Sequence, residues 1–289
     1  MQADSKSSRC SADAPMRPPP PHNEYLLGHS SNEEDRLRKL PEELGPDSRR
    51  FVDQFGIQSG HRVVDLGCGP CGILDLLSEQ VGKNGTVVGV EQNQSTLELA
   101  RQFIAEHGLR NVELLHGDAK ATGLPRASFD VVHARLVLVN VPGPQQVVRE
   151  MVALARPGGI VASHEADWGA SICDPRSPAW DRLVAVFEAY SRSVGIDLFV
   201  GRKTHRMFRE AGLINIQVTP LIHSYPLGNS RRGILCDLVE SVHDGVVMQG
   251  LLTEVEYQEE LSQLRHHLAD ASTLVIPHLF FQAWGRKPE

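Results

Sequence analysis

The chain predicts an α/β fold: a mostly parallel sheet with helices on both faces. Three observations carry this reading. From Arg62 onward, apolar strand runs alternate with amphipathic helix patterns, and parallel strands need crossover connections that helices supply. The first strand, Arg62-Val63-Val64-Asp65-Leu66, runs directly into Gly67-Cys68-Gly69-Pro70-Cys71-Gly72, and Glu91 closes the second. Glycines let backbone approach a ligand with no Cβ in the way, and a carboxylate after the second strand can hold both ribose hydroxyls. Loop and carboxylate together read as a cradle for a nucleotide-type cofactor.

The elements follow in order. Residues 1–22 are polar and end in Pro18-Pro19-Pro20-Pro21, a composition that buries too little apolar surface to offset its ordering entropy, so a disordered tail is expected. Residues 23–50 carry Tyr25-Leu26-Leu27-Gly28-His29-Ser30 and then a charged helix with Leu37 and Leu40, for which Asn32 is a suitable cap. This reads as a lid helix preceding a main domain of residues 51–289. Within that domain the pattern predicts strand 62–66, helix 72–81, strand 86–91 and helix 96–107, the last opened by a Ser95-x-x-Glu98 capping box. That box leaves Gln92 and Asn93 in the loop at the strand's carboxyl end, the side on which such sheets bind ligands.

Strands at 112–116, 129–134 and 160–165 come next, the last introduced by an Arg156-Pro157-Gly158-Gly159 turn that ends the preceding helix. Alternation then breaks at a cap insertion of about 167–200, holding Trp168, Trp180, Phe187, Tyr190 and Phe199. A strand at 214–224 precedes a helical insertion of about 229–270, with one helix near 231–248 and another opened by Thr253-x-x-Glu256. A strand at 273–284 closes the pattern, and there are no internal repeats.

Composition narrows the function classes. A length of 289 residues suits one large or one-and-a-half domains, and a net charge of −7 argues against a nucleic-acid surface. Two tight basic pairs in the second half, Arg231-Arg232 and Arg286-Lys287, are expected as solvated surface charge. No apolar run reaches the ~18 to 20 residues of a membrane span, and no secretory h-region is visible. Five cysteines without framework spacing suit a reducing compartment, so a soluble cytoplasmic protein is expected. Cys68-Gly69-Pro70-Cys71 spells a redox dithiol, but it sits inside Asp-x-Gly-x-Gly and not in a thioredoxin-like setting. Cys10, Cys173 and Cys236 are scattered singly, so no metal site is expected. A dinucleotide fits less well, because Ile73 and Leu74 follow Gly72 where a pyrophosphate-cradling glycine would be needed.

Taken together, Asp65-x-Gly67-x-Gly69, Glu91, Gly117-Asp118-Ala119, Phe129-Asp130-Val131-Val132 and Arg156-Pro157-Gly158-Gly159 resemble, in order and spacing, the class I S-adenosylmethionine-dependent methyltransferases. The likeness covers about residues 25–215 and is strongest to the ubiquinone/menaquinone C-methyltransferase branch. Within it, the chain is similar to small-molecule enzymes of natural-product pathways that begin with a Tyr-x-Leu-Gly-His segment like Tyr25 to His29. The third loop glycine is replaced by Cys71. The resemblance implies a Rossmann-like, seven-stranded sheet whose last strands, 214–224 and 273–284, form an antiparallel hairpin.

It also implies roles. Asp65 and Gly67 would lie by the methionyl part of S-adenosylmethionine, with Gly69 beneath it. Glu91 would hold the ribose, Gln92 would border the adenine, Asp118 would accept from the adenine amino group and Ala119 would donate its N–H. Arg135 joins this cofactor set, and Tyr25 and His29 would close over it. Glu165, Asp167 and Trp168, just past the fifth strand, are the catalytic candidates at the acceptor side. Trp180, Tyr190 and Phe199 are the pocket candidates, since aromatic faces stabilise positive charge developing on a carbon acceptor.

Methyl transfer needs in-line positioning more than a nucleophilic side chain. An O- or N-acceptor could use a base drawn from His133, His164, His205, His223, His243 or His278. The expected partner is a mainly apolar small-molecule acceptor, with S-adenosylhomocysteine as product and an N-terminal lid that can be exchanged in a homo-oligomer. Two other readings stay open: a cyclase that uses the sulfonium charge, alone or after methylation, and a non-catalytic cofactor-binding module.

Overall fold

In the computed structural model, which describes residues 31–70 and 72–289, the strand pattern becomes a seven-stranded sheet. The strands are β1 (Arg62–Leu66), β2 (Thr86–Glu91), β3 (Val112–His116), β4 (Phe129–Arg135), β5 (Ala155–Asp167), β6 (Ile172–Asp174), β7 (Ile214–Ile222), β8 (Leu274–Ile276) and β9 (Leu279–Arg286). The sheet order is β3-β2-β1-β4-β5-β9-β7, with β6 and β8 pairing separately. Neighbours from β3 through β5 are parallel, whereas β9 lies antiparallel between β5 and β7. This is the Rossmann-like methyltransferase topology, final antiparallel pair included. Chain order reverses between β1 and β4, which opens a crevice at their carboxyl ends.

The helices are α1 (Ser31–Val52), α2 (Leu74–Val81), α3 (Gln94–Glu106), α4 (Pro144–Leu154), α5 (Pro178–Ser193), α6 (Thr204–Glu210), α7 (Ile234–Ser241), α8 (His243–Met248) and α9 (Glu254–Leu268). Helices cover both faces, so after Arg62 β1 is apolar except for the buried Asp65, and Val63, Val64 and Leu66 are all fully buried. Phe51, Phe55, Leu74 and Leu77 pack on one face, and Val147, Met151, Leu183 and Phe208 pack on the other side. No helix among the described residues is long and apolar enough to cross a membrane.

Several boundaries differ from the sequence reading, each for a local reason. Helix α2 starts at Leu74, after Gly72 turns the chain with φ +47°. Helix α3 starts at Gln94 because Asn93, not Ser95, is its cap: the Asn93 side chain accepts from Thr96 N–H at 2.8 Å. Residues 155–159 do not form a free turn; they continue β5 through a bulge against β4. The 231–248 helix is two helices, and Pro277 divides the last strand into β8 and β9. Helix α6 had no expectation. The Thr253–Glu256 capping box forms as read.

The N-terminal helix is more than a lid. α1 runs past residue 50, and its second half buries Leu44, Phe51 and Val52 against the sheet. Gln282 also donates to the Asp47 carbonyl at 3.0 Å. The division at residue 50/51 therefore falls inside a continuous, packed helix. Cys71, the tail, and the segment with Tyr25 and His29 lie outside the described residues.

The surface reading of Arg231 and Arg232 is overturned, since both are buried, at 4% and 5% exposure. Arg232 donates to four carbonyls: Leu268 at 2.7 Å, Tyr225 at 2.7 Å, Asp270 at 2.9 Å and Thr273 at 2.8 Å. It closes the carboxyl end of α9, where free carbonyls favour a cation. We predict that Arg232→Ala, which orphans those carbonyls, lowers stability by about 3 kcal/mol or more. Arg286→Ala on the exposed end of β9 should stay within about 0.5 kcal/mol in the same urea titration. Equal losses would remove Arg232 from this structural role.

Candidate active site

The carboxyl ends of β1, β2 and β4 open into a cavity of about 360 Å³. Its near half is polar and is made by the glycine loop. Gly67 has φ +66°, and a Cβ there would come within 2.5 Å of Val137 Cγ2, so only glycine lets the loop pass under that side chain. Gly69 has φ +63° with open space above it. The Gly67 and Cys68 N–H groups donate to the Val90 carbonyl at 2.7 and 3.0 Å, which bends the loop back onto β2.

Glu91 organises this half. Its carboxylate accepts from Gly69 N–H at 3.1 Å and from Asn93 N–H at 2.8 Å, fixing the glycine loop and the start of α3 relative to each other. Asp65 is buried and hydrogen-bonded to His133 Nδ1 at 2.7 Å. Asp118 accepts from Lys120 N–H at 2.8 Å, and the Gly117 N–H donates to the Glu91 carbonyl at 3.0 Å. Arg135 donates to the Gly72 carbonyl at 3.0 Å and to Ser48 Oγ at 3.1 Å, strapping loop to α1. Asp65, Gly67, Gly69, Glu91, Gln92, Asp118, Ala119 and Arg135 all line the cavity. The structure thus brings together every cofactor candidate that falls within the described residues.

The far half is apolar, formed by Leu37 and Leu40 of α1, Val139 and Val141 after β4, Trp168, Phe187 of α5, Leu198, and Ile234 and Leu238 of α7. Trp168 stands in this wall, edge-to-face with Phe187 at 5.5 Å and 4.9 Å from the His278 ring. The other acceptor-side candidates are elsewhere. Trp180 is buried in the core, the Tyr190 ring covers Gly245, and Phe199 lies beneath the Arg202 guanidinium. Phe187, Leu198, Ile234 and Leu238 take their place. Helical periodicity marked such residues as apolar, but gave no sign of which apolar face meets the cavity.

Glu165 and Asp167 require correction as catalytic candidates, because both side chains are fully buried in β5 and outside the cavity lining. Asp167 is paired with Arg202, at 2.6 Å from its Nη2, and accepts from the Gly169 and Arg202 N–H groups at 3.0 Å each. It pins the cap to the strand end. Glu165 accepts from the N–H groups of Val137, Leu138 and Val139 at 3.2, 3.1 and 3.2 Å. Each ties a neighbouring segment to β5.

The histidines also separate. His278 lines the cavity, whereas His133, His164, His205, His223 and His243 do not. Burial, then the Arg135 charge, hold His164 well below the usual imidazole range, so it is neutral at pH 7. His223 pairs with Asp47 at 2.8 Å, and His243 sits between Asp244 and Glu254. Asp130, part of the sequence motif, is structural: it accepts from Arg62 N–H at 2.8 Å and Arg156 Nε at 2.7 Å.

This fold and this cavity define a class of protein, and comparison with known proteins agrees. Residues 57–212, more than half of the chain, match the methyltransferase domain family, so the chain belongs to it. It is 36% identical over 138 residues to a demethylmenaquinone methyltransferase of Listeria monocytogenes, a match covering 48% of this chain and 54% of that protein. The matched stretch thus spans about half the length of that relative. A second such enzyme, from Geobacillus kaustophilus, is 31% identical over 179 residues, covering 58% and 76%. Among solved structures, phosphoethanolamine N-methyltransferase 2 of Haemonchus contortus, bound to phosphomonomethylethanolamine and S-adenosylhomocysteine, aligns with a TM-score of 0.59. The identity is 17%, over 91% of this chain and 59% of that one. The YcgJ protein of Bacillus subtilis aligns at 0.56 and 16% identity, over 83% and 97%. At these identities the structures show a shared fold.

Burial pushes the Glu165 carboxyl up to about 8, against the pull of its three N–H donors. The folded protein therefore keeps a proton that the unfolded chain releases near the ordinary value of 4.5. The stability from that bound proton is full below 4.5 and is lost as pH rises through about 8. We predict that between about pH 5 and about pH 8.5 wild type loses more stability than Glu165→Gln, read by urea unfolding at both pH values. Equal losses in the two proteins would show that Glu165 does not titrate in this window.

Proposed function

We propose that the chain binds S-adenosylmethionine in the polar half of the cavity and methylates a mainly apolar small molecule, at carbon or oxygen, in the apolar half. The observation that carries this reading is the continuity of one cavity between two chemically different ends. The residues present suit the cofactor. An open position above Gly69 leaves room for its amino-acid end, and carboxylates at Glu91 and Asp118 offer acceptors to ribose hydroxyls and an adenine amino group. When bound, the cofactor supplies an activated methyl group on a sulfonium centre.

The protein's part is to orient and to exclude water. Glu91 holds the loop and the α3 start at one separation, and His133 keeps the Asp65 side chain in place beside Gly67. Fixing donor and acceptor in near-attack geometry supplies on the order of 7 to 11 kcal/mol in favourable cases. Leu37, Leu40, Trp168 and Phe187 keep the acceptor half dry and shaped for an apolar body. Trp168 is the aromatic face best placed for charge developing on a carbon acceptor.

The similarity to demethylmenaquinone methyltransferases supports an apolar acceptor, and the cap contributed by α5 and α7 supports a pocket of its own shape. Natural-product biosynthesis is the setting we propose. A lid formed by Tyr25 and His29, exchanged between two copies, completes the proposal. Calorimetric titration of S-adenosylmethionine tests its centre: we expect micromolar binding, weakened at least about tenfold in Glu91→Ala, the scale of one lost charge-assisted contact. Acceptor screening by mass spectrometry should then yield S-adenosylhomocysteine and a product one methyl heavier. No cofactor binding by the folded protein would overturn the reading, and an isomerised, unmethylated product would replace it with a cyclase.

A further inference from the structure

We propose that the acceptor carries an oxyanion, a carboxylate or an ionised phenol or enol, on its apolar body, and that Arg231 is the subsite that receives it. This rests on the functional reading above, since it names the acceptor class of the same cavity. The far half of the cavity is walled by Leu40, Trp168, Phe187, Leu198, Ile234 and Leu238, and into that wall the fold brings a guanidinium that is 4% exposed. A charge in such surroundings is costly unless it is fully paired.

Arg231 is held without being saturated. A guanidinium has five N–H donors. Among the described residues Arg231 uses three: Nε to Tyr225 Oη at 3.2 Å, Nη1 to Glu43 at 3.1 Å and Nη2 to His278 Nε2 at 3.2 Å. All three are long beside the ~2.7–2.9 Å of charge-assisted bonds. Its neighbour Arg232 is the internal control, with four carbonyls at 2.7 to 2.9 Å and no place in the cavity lining. Two adjacent buried arginines thus differ in the way that separates a structural clamp from a binding group.

The surroundings aim Arg231 without consuming it. The guanidinium lies 5.4 Å from the Phe280 ring centre and 5.8 Å from that of Tyr225, so aromatic faces hold it in place. Arginine only donates, so in this contact His278 Nε2 is the acceptor and the guanidinium is the donor. Among the described residues Glu43 is the one carboxylate paired with Arg231, and Ser230 Oγ donates to it as well. Glu43 sits on α1 just after Leu40, which lines the cavity, so the same helix wall carries the apolar contact and the counter-charge.

The test uses the full chain saturated with S-adenosylhomocysteine and three probes of one size titrated by calorimetry: 2-naphthoate, 4-nitro-1-naphtholate and neutral 2-naphthamide. We expect at least one anion to bind about tenfold more tightly than the amide, the scale of one charge-assisted contact, and the preferred anion identifies the oxygen type. Arg231→Gln should abolish that preference while the amide and S-adenosylhomocysteine still bind. Glu43→Gln, which removes the competing carboxylate, should strengthen anion binding severalfold, and this decides the matter if Arg231→Gln fails to fold. Equal binding of all three probes, a preference that survives Arg231→Gln, or no gain in Glu43→Gln would overturn the subsite. Failure to bind S-adenosylhomocysteine would instead overturn the methyltransferase reading.

Discussion

A buried carboxyl group, that of Glu165, ties together the wall shared by both halves of the cavity. Its two oxygens accept from three consecutive N–H groups, Val137 to Val139, and so tie the segment after β4 to β5. Val137 in turn lies where only a glycine at position 67 lets the loop pass. The glycine loop is then held from the other side by Glu91. One chain of contacts therefore runs from the acceptor-side strand through a backbone segment to the cofactor-side loop. The two ends of the cavity are thus linked through one set of contacts, and an in-line transfer requires its two partners held at a fixed separation.

A second layer of polar contacts ties α1 to the sheet ends. Ser48 meets Arg135, the Asp47 carbonyl meets Gln282, the Asp47 carboxylate meets His223, and Glu43 meets Arg231. Phe51 packs between these points, against the His133 and His164 rings. Buried polar groups of this kind demand defined partners, so they favour one placement of the helix over many. The consequence is functional as well as structural: the helix that supplies Leu37 and Leu40 to the cavity is anchored through residues touching the glycine-loop strap and Arg231.

Legibility followed the range of the interactions. The glycine loop, Glu91 and Asp118 were readable because the strand–loop–helix geometry that places them is set by residues a few positions apart, and all of them line the cavity. The apolar half was not, because it is assembled from α1, the segment after β4, α5 and α7, which are distant in sequence. Trp180 and Phe187 lie on the same helix, yet Trp180 enters the core and Phe187 the cavity. Glu165 and Asp167 carry the right chemistry for a catalytic pair, but the pleat and the contacts of the cap turn both inward. Arg231 and Arg232 looked like surface charge because their partners lie on α1 and around α9, out of local view.

By itself, then, the sequence determined the α/β sheet, the cofactor-type loop and the carboxylates around it, since periodicity, glycine conformation and strand-end chemistry are local properties. Only the tertiary structure decided which strand ends converge on the cavity, that α1 is part of the domain, and that of two neighbouring arginines one clamps a helix end while the other faces the cavity. The physical reason is that burial and pairing of a charge depend on what other segments bring to it.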